Sequence, residues 1–299
     1  MIAVPVIHFN PTMKPHHIRL PNHSTRAFTL IELLVVIAII GVLSSVVTAA
    51  VRSAREKARL AAGRAAEHSA LSGLGSGLLA EYLFEDCGGS TLTDGSGLSL
   101  GRLLGPVACA TDTQSGNGLA QTFDGASNIV VADNGPAISD GDFTVAAWVR
   151  STSTVVGNNN GIVYKRGTVS TSTPGFALNM PAGNFMFRIA DGSSAVTVQT
   201  TTGKYNDGRW YFVAAAVQRG RDVRLYVDGR QVAVSPETTL GSTLSPYPLG
   251  IGGLSTTGSN LYHPFTGSID QVRIYDRALA SDAISRLFLD QVYGRLARP

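Results

Sequence analysis

Hydrophobic and polar positions divide the chain into two stretches of different period. The segment Phe28–Val51 is apolar almost throughout and carries one charge, Glu32. At 1.5 Å rise per residue it predicts a helix of about 36 Å, enough to cross a hydrocarbon core of about 30 Å. It is longer than the apolar core of a cleaved secretory signal. The helical pattern continues through Arg52–His68, rich in Ala, Arg and Glu, and no proline occurs between residues 23 and 105. A single helix over 28–71 follows, part transmembrane and part stalk. Ala54, Ala58, Ala61, Ala62 and Ala65 give it a stripe of small residues suited to close helix packing. Residues 72–79, Ser-Gly-Leu-Gly-Ser-Gly-Leu-Leu, end the pattern and predict a flexible linker.

From residue 80 to 299 the period shortens to two. Phe143, Val145, Ala147 and Val149 share one face of a strand, as do Phe185, Phe187 and Ile189. Trp210–Val217 is nearly continuous in apolar residues, as a buried central strand requires. Asp222–Val234 reads as a hairpin, with Val223, Leu225 and Val227 together and Asp228-Gly229 at the tight turn. Asp-Gly and Asn-Gly pairs recur about every ten residues, which predicts many short strands in a sandwich or jelly roll. A segment of about 220 residues is long enough to bury a two-sheet core. Trp148 and Trp210, inside apolar strands, are expected in that core.

Composition narrows the function. Charged residues make up 15% of 299 residues, too few for a charge-rich disordered chain or a coiled coil, and two Cys are too few for a disulfide-dense mini-protein. The net charge of +3 lies entirely in residues 1–27, where Lys14, Arg19 and Arg26 face no acid. The remainder is neutral, which argues against nucleic acid as a partner. Charge does not orient the apolar helix, because Arg52, Arg55, Lys57, Arg59 and Arg64 follow it directly.

A carboxylate inside such a helix costs about 2.5–3.5 kcal/mol on insertion scales and needs a reason. On the residues alone, Glu32 either snorkels to the headgroups or has a partner. The sequence Arg26-Ala27-Phe28-Thr29-Leu30-Ile31-Glu32-Leu33 resembles the processing and methylation site of type IV prepilins and type II secretion pseudopilins. The resemblance implies a leader over 1–27, cleavage between Ala27 and Phe28 by a prepilin peptidase, and methylation of the Phe28 amine. It also implies that Glu32 neutralises the amine of a neighbouring pilin-like subunit during assembly. The chain departs from that pattern with Ala27 where the family usually has Gly, a long leader, and Ala49 where the family often has a helix-kinking Pro.

The second part resembles the concanavalin A-like, laminin-G-like jelly rolls. The matching segments are Glu81-Tyr-Leu-Phe-Glu-Asp, Phe123-Asp-Gly, Phe143–Val149, Asp207-Gly-Arg-Trp-Tyr-Phe-Val, Leu225-Tyr-Val-Asp-Gly-Arg and Pro264–Tyr275, followed by a short closing helix from about Arg277. The resemblance implies two stacked antiparallel sheets and a binding or adhesion role toward glycans or protein. It also implies one calcium ion held by Asp270 on the last long strand, with Asp124 as a second candidate. Against that stand the turn chemistry of Asp124-Gly125 and a pairing of Asp270 with Arg273. Asn158-Asn159-Asn160, Pro246-Tyr247-Pro248 and Tyr262-His263 fall in expected loops and are candidates for glycan contact.

Catalysis finds little support. Glycoside hydrolysis needs two convergent carboxylates, and Glu237 is the one glutamate after Glu85. A Ser-His-Asp site needs a histidine base; beyond the leader the chain has His68 and His263, with no nucleophile motif near either. Cys87 and Cys109 fall close together at the start of the β region. In an extracytoplasmic domain they are expected to form a disulfide worth about 3 kcal/mol in the chain-entropy model, the alternative being two buried thiols.

The sequence thus predicts an α+β chain: a long N-terminal transmembrane helix, then an all-β concanavalin A-like jelly-roll sandwich. The expected protein is non-enzymatic, single-pass in the bacterial inner membrane, with its C-terminal domain periplasmic or displayed on a pilus or pseudopilus. Its expected partners are prepilin peptidase, other pilin-like subunits and a glycan or protein ligand. The alternative is a monomeric membrane-anchored binding module that does not polymerise.

Overall fold

A computed structural model of the chain describes residues 30–35, 37–40, 77–86, 89–98, 100–105, 108–111, 118–126, 129–132, 135–155, 160–167, 172–237, 239–255 and 261–289. Two compact units divide it, residues 1–68 and 69–299.

In the first unit, residues 30–35 and 37–40 are helical. Their apolar side chains are exposed, from Leu30 at 82% to Val35 at 50%. Among the described residues no helix is long and apolar enough to cross a membrane. Most of the predicted span and stalk over 28–71 lies outside them.

The second unit is a sandwich of antiparallel strands. They are β1 (Leu78–Tyr82), β2 (Thr91–Leu92), β3 (Gly101–Leu104), β4 (Ala108–Thr111), β5 (Leu119–Asp124), β6 (Ile129–Ala132), β7 (Phe143–Arg150), β8 (Gly161–Lys165) and β9 (Gly175–Asn179), then β10 (Met186–Ala190), β11 (Ala195–Gln199), β12 (Trp210–Gln218), β13 (Asp222–Val227), β14 (Arg230–Pro236), β15 (Leu249–Ile251), β16 (Leu254–Ser255), β17 (Leu261–Tyr262) and β18 (Thr266–Tyr275). The front sheet runs β14-β13-β12-β7-β18-β5-β4, with β1 also on β18; the back sheet runs β11-β10-β9-β8-β15-β6-β3-β2. Strand β1 begins inside the segment read as linker and pairs with β18 from Leu78↔Tyr275 to Tyr82↔Val272. The two ends of the domain are thereby stitched together.

The alternation read from the sequence is the inner face. Phe143, Val145, Ala147 and Val149 meet Phe185, Phe187 and Ile189 between the sheets, together with Val223, Leu225 and Val227. Asp228 and Gly229 both take positive φ, 48° and 75°, as the two-residue hairpin between β13 and β14 demands.

Strands β7 and β12 are buried on both faces. The helix Ser281–Leu289 is the cause. It lays Ile284 and Leu287 against the outer face of the front sheet, over Trp148, Phe212 and Tyr226. Phe288 stacks on Trp148 with ring centroids 5.7 Å apart. Ala146, Ala214 and Ala216 line the sheet beneath this second core, where larger side chains would hold the helix off. Ser285 Oγ donates to the Gly229 carbonyl at 2.7 Å, and a Cβ on Gly229 would lie 3.2 Å from Ser285 Cα. The hairpin turn therefore needs glycine twice, for φ and for room.

Candidate functional site

Ala27 and Phe28 lie outside the described residues. Glu32 sits in the exposed helical stretch four residues beyond Phe28.

In the sandwich Asp270 is a buried carboxyl with an unpartnered oxygen. Strand β18 changes partner in mid-length: Thr266–Ile269 pair with β5, and Val272–Tyr275 pair with β1. The handover is a bulge, with the β7 register shifting between Asp270 and Arg273 and Gln271 at φ 50°. Asp270 is fully buried there, opposite Trp148. Its Oδ1 has no hydrogen-bond partner, and its Oδ2 is 3.5 Å from Gln271 Nε2. Burial pushes its carboxyl up to about 8; the Gln271 main-chain N–H opposes this, and the negative charge of Glu85 adds to it. Arg273 does not pair with Asp270; it forms an ion pair with Glu81 at 2.7 Å.

Calcium takes six to eight oxygens. The orphan Oδ1 of Asp270 fits as one of them. Asp124 does not join it: it is exposed, faces Thr266 across the β5–β18 pair, and its Oδ1 accepts from the Ala126 N–H at 2.9 Å. Thr266 and Asp270 are four residues apart on one strand, about 13 Å at the usual rise. Among the described residues no three His, Cys, Asp or Glu converge as a metal cluster.

Glu237 is occupied structurally. It is buried, and its oxygens accept from the main-chain N–H groups of Gly220 at 2.7 Å and Leu240 at 3.1 Å. His263 is half-buried and stacks on Tyr164, with centroids 5.9 Å apart; burial lowers its pKa. Asn160 is also internal, bridging the Met180 carbonyl and the Thr266 N–H, while Asn158 and Asn159 lie outside the described residues. Tyr262, expected in a loop, ends the short strand β17 and is exposed. Tyr247 covers Gly167 and lends its carbonyl to Lys165 Nζ at 2.7 Å. Cys109 lies in β4 and Cys87 outside the described residues.

The expectation for the two tryptophans divides. Trp148 is fully buried, whereas Trp210 is only half-buried at the start of β12, with the Arg150 guanidinium 5.0 Å above its ring. The apolar run after Trp210 hides this, because a strand entering a core begins at its rim.

The architecture defines a class: two stacked antiparallel sheets in a jelly roll, preceded by an apolar helical segment. Residues 123–285, more than half of the chain, match the concanavalin A-like lectin/glucanases superfamily, and the chain belongs to it. Residues 22–48 match the prokaryotic N-terminal methylation motif. Among solved structures, the binding domain of Paraclostridial Mosquitocidal Protein 1 is similar at 17% identity and a TM-score of 0.58, over 73% of this chain and 53% of that one. The botulinum neurotoxin serotype G binding domain is similar at 13% and 0.57, over 72% and 51%. A botulinum neurotoxin DC binding domain in complex with SialylT is similar at 13% and 0.53, over 72% and 51%. This chain spans about half the length of these structures, and the likeness is one of fold. A comparison with curated proteins finds no match.

Proposed function

We propose that the chain is a pilin-like or pseudopilin subunit whose jelly-roll head is a binding or adhesion module. Prepilin peptidase removes residues 1–27, the Phe28 amine is methylated, and the helix is held in the inner membrane with the head in the periplasm. Subunits then assemble through their helices, Glu32 meeting the Phe28 amine of a neighbour. An opposite charge makes an intramembrane carboxylate tolerable. The observation that carries this reading is the methylation motif at 22–48 in the same chain as a superfamily domain at 123–285. The similar toxin domains are themselves binding domains, one of them solved with SialylT, which favours recognition over catalysis for the head. The structural engagement of Glu237 and His263 points the same way. A calcium ion, if part of this head, would be held through Asp270.

The test is Glu32→Ala in the native host. Removing the charge eases insertion, so the subunit should reach the membrane at normal levels and fail to enter filaments. Normal incorporation into filaments would refute the role given to Glu32. Filaments absent even with the parent chain would favour the monomeric anchor.

A further inference from the structure

One row on the outer face of the front sheet starts at Trp210, at the edge of the second core. Trp210, Arg150, Ser268 and Thr122 are cross-strand neighbours on β12, β7, β18 and β5. They point away from the core, since Val149 and Ile269 beside them point into it. Beyond the row opens a cavity of about 360 Å³, walled by Arg150, Thr122, Thr152, Thr266 and Ser268, with Phe123, Ser151, Gly208 and Gly267 also lining it. Pockets for small molecules begin at about 300 Å³.

Arg150 differs from three other half-buried arginines. Arg219, Arg224 and Arg273 each face a carboxylate: Glu237, Asp222 and Glu81. Among the described residues no carboxylate pairs with Arg150. Its guanidinium lies over the Trp210 ring, and its Nη2 reaches Ser268 Oγ at 3.4 Å. Ser268 Oγ is in turn 3.4 Å from Thr122 Oγ1. Both contacts are at the long limit for a hydrogen bond, so Ser268 gives up little on turning to a ligand. One wall of the cavity requires glycine. Gly267 has φ 142°, and a Cβ there would strike the Arg150 carbonyl. Gly208 likewise takes a positive φ, 83°.

We infer that this cavity is a subsite for a carboxylate-bearing sugar. A planar guanidinium without an acid takes a carboxylate in bidentate fashion, and the ring of hydroxyls and main-chain groups suits a polyol. Arg150 holds the carboxylate, Thr122, Thr152 and Ser268 bond sugar hydroxyls, and Trp210 is a positioning residue that keeps the guanidinium flat and half-desolvated. The inference rests on the head being a binding module and adds the charge and size of its ligand.

The test uses the full-length chain in a detergent without a sugar headgroup, with binding read by calorimetry and saturation-transfer NMR. N-acetylneuraminic acid and galacturonate are the two acidic probes, representing a glycan terminus and a polyuronate; galactose is the neutral control and sulfate the inorganic one. At least one acidic sugar should saturate, at least tenfold tighter than galactose or sulfate, and which one does so names the source. Arg150→Met should weaken that binding at least tenfold, with Trp210 fluorescence reporting the change at the site. Should Arg150→Met fail to fold, the double variant Thr122→Val, Ser268→Ala should weaken it at least threefold. The inference is overturned if no acidic sugar binds, if galactose or sulfate binds equally well, or if these variants bind as the parent does. Binding of another glycan or a protein that survives Arg150→Met would overturn it while leaving the binding head intact. A head that binds nothing on glycan or protein surfaces would remove both.

Discussion

Replacing Asp270 by Asn removes the ability to ionise while keeping the size of the side chain. The carboxyl is fully buried, with one oxygen unpartnered and a pKa pushed up to about 8. In the unfolded chain it titrates near 3.9. Between those values the folded chain keeps a proton that the unfolded chain has released. Folding therefore takes up a proton, and stability falls as pH rises, by about 1.4 kcal/mol per pH unit from this group. The loss begins above pH ~4 and levels off above ~8, at on the order of 5 kcal/mol. Asp270→Asn escapes that loss but leaves a buried amide N–H to satisfy, at about 1–3 kcal/mol. The net expectation is a gain of about 2–4 kcal/mol at pH 8 and a slight loss at pH 4.5. Urea unfolding of parent and variant in EDTA at both pH values, followed by tryptophan fluorescence, measures it. A difference independent of pH, or a variant less stable at pH 8, would refute the burial argument. Calcium reverses the comparison if Asp270 is its ligand: the ion should then raise the midpoint of the parent and leave that of Asp270→Asn unmoved.

The remaining predictions concern other parts of the head. Leu287→Ala, which opens the second core under the closing helix, should cost about 2–4 kcal/mol in urea unfolding, and a value under 0.5 would mean that the helix adds little. Alkylation and mass spectrometry of the unfolded, unreduced chain should find Cys87 and Cys109 protected, and reduction should lower stability by about 3 kcal/mol. Two alkylated thiols before reduction would remove the disulfide.

The inner face of the sandwich is legible in the sequence because one side of each strand must be apolar. That rule places Phe143, Val145, Ala147 and Val149 correctly, and Asp228-Gly229 announces its turn through a positive φ that few other residues tolerate. The outer face is less so. Ala146, Trp148, Ala214 and Ala216 read as ordinary strand residues, and only the helix laid over them explains why both sides of β7 and β12 are apolar. The closing helix itself begins four residues later than its sequence suggests, because the Arg277 carbonyl and the Leu279 N–H are taken by Thr144 Oγ1 on β7 and not by a first helical turn. Asp270 and Asp124 are both candidate calcium ligands by resemblance, yet strand register keeps them apart. Arg150 carries no sequence signal, since an arginine without an acid is recognised only when its neighbours in space are known. Glu32 is the reverse case: one charge in a long apolar run, which the order of residues alone makes conspicuous.

The central claim is prepilin-type processing of a chain that displays a jelly-roll head. Mass spectrometry of the mature N-terminus, on protein taken from membranes of its native host, tests it most directly. The account predicts a chain that begins at Phe28 with a methylated amine. A chain that retains residues 1–27, or is cut elsewhere, would contradict it and leave a jelly roll on an ordinary membrane anchor.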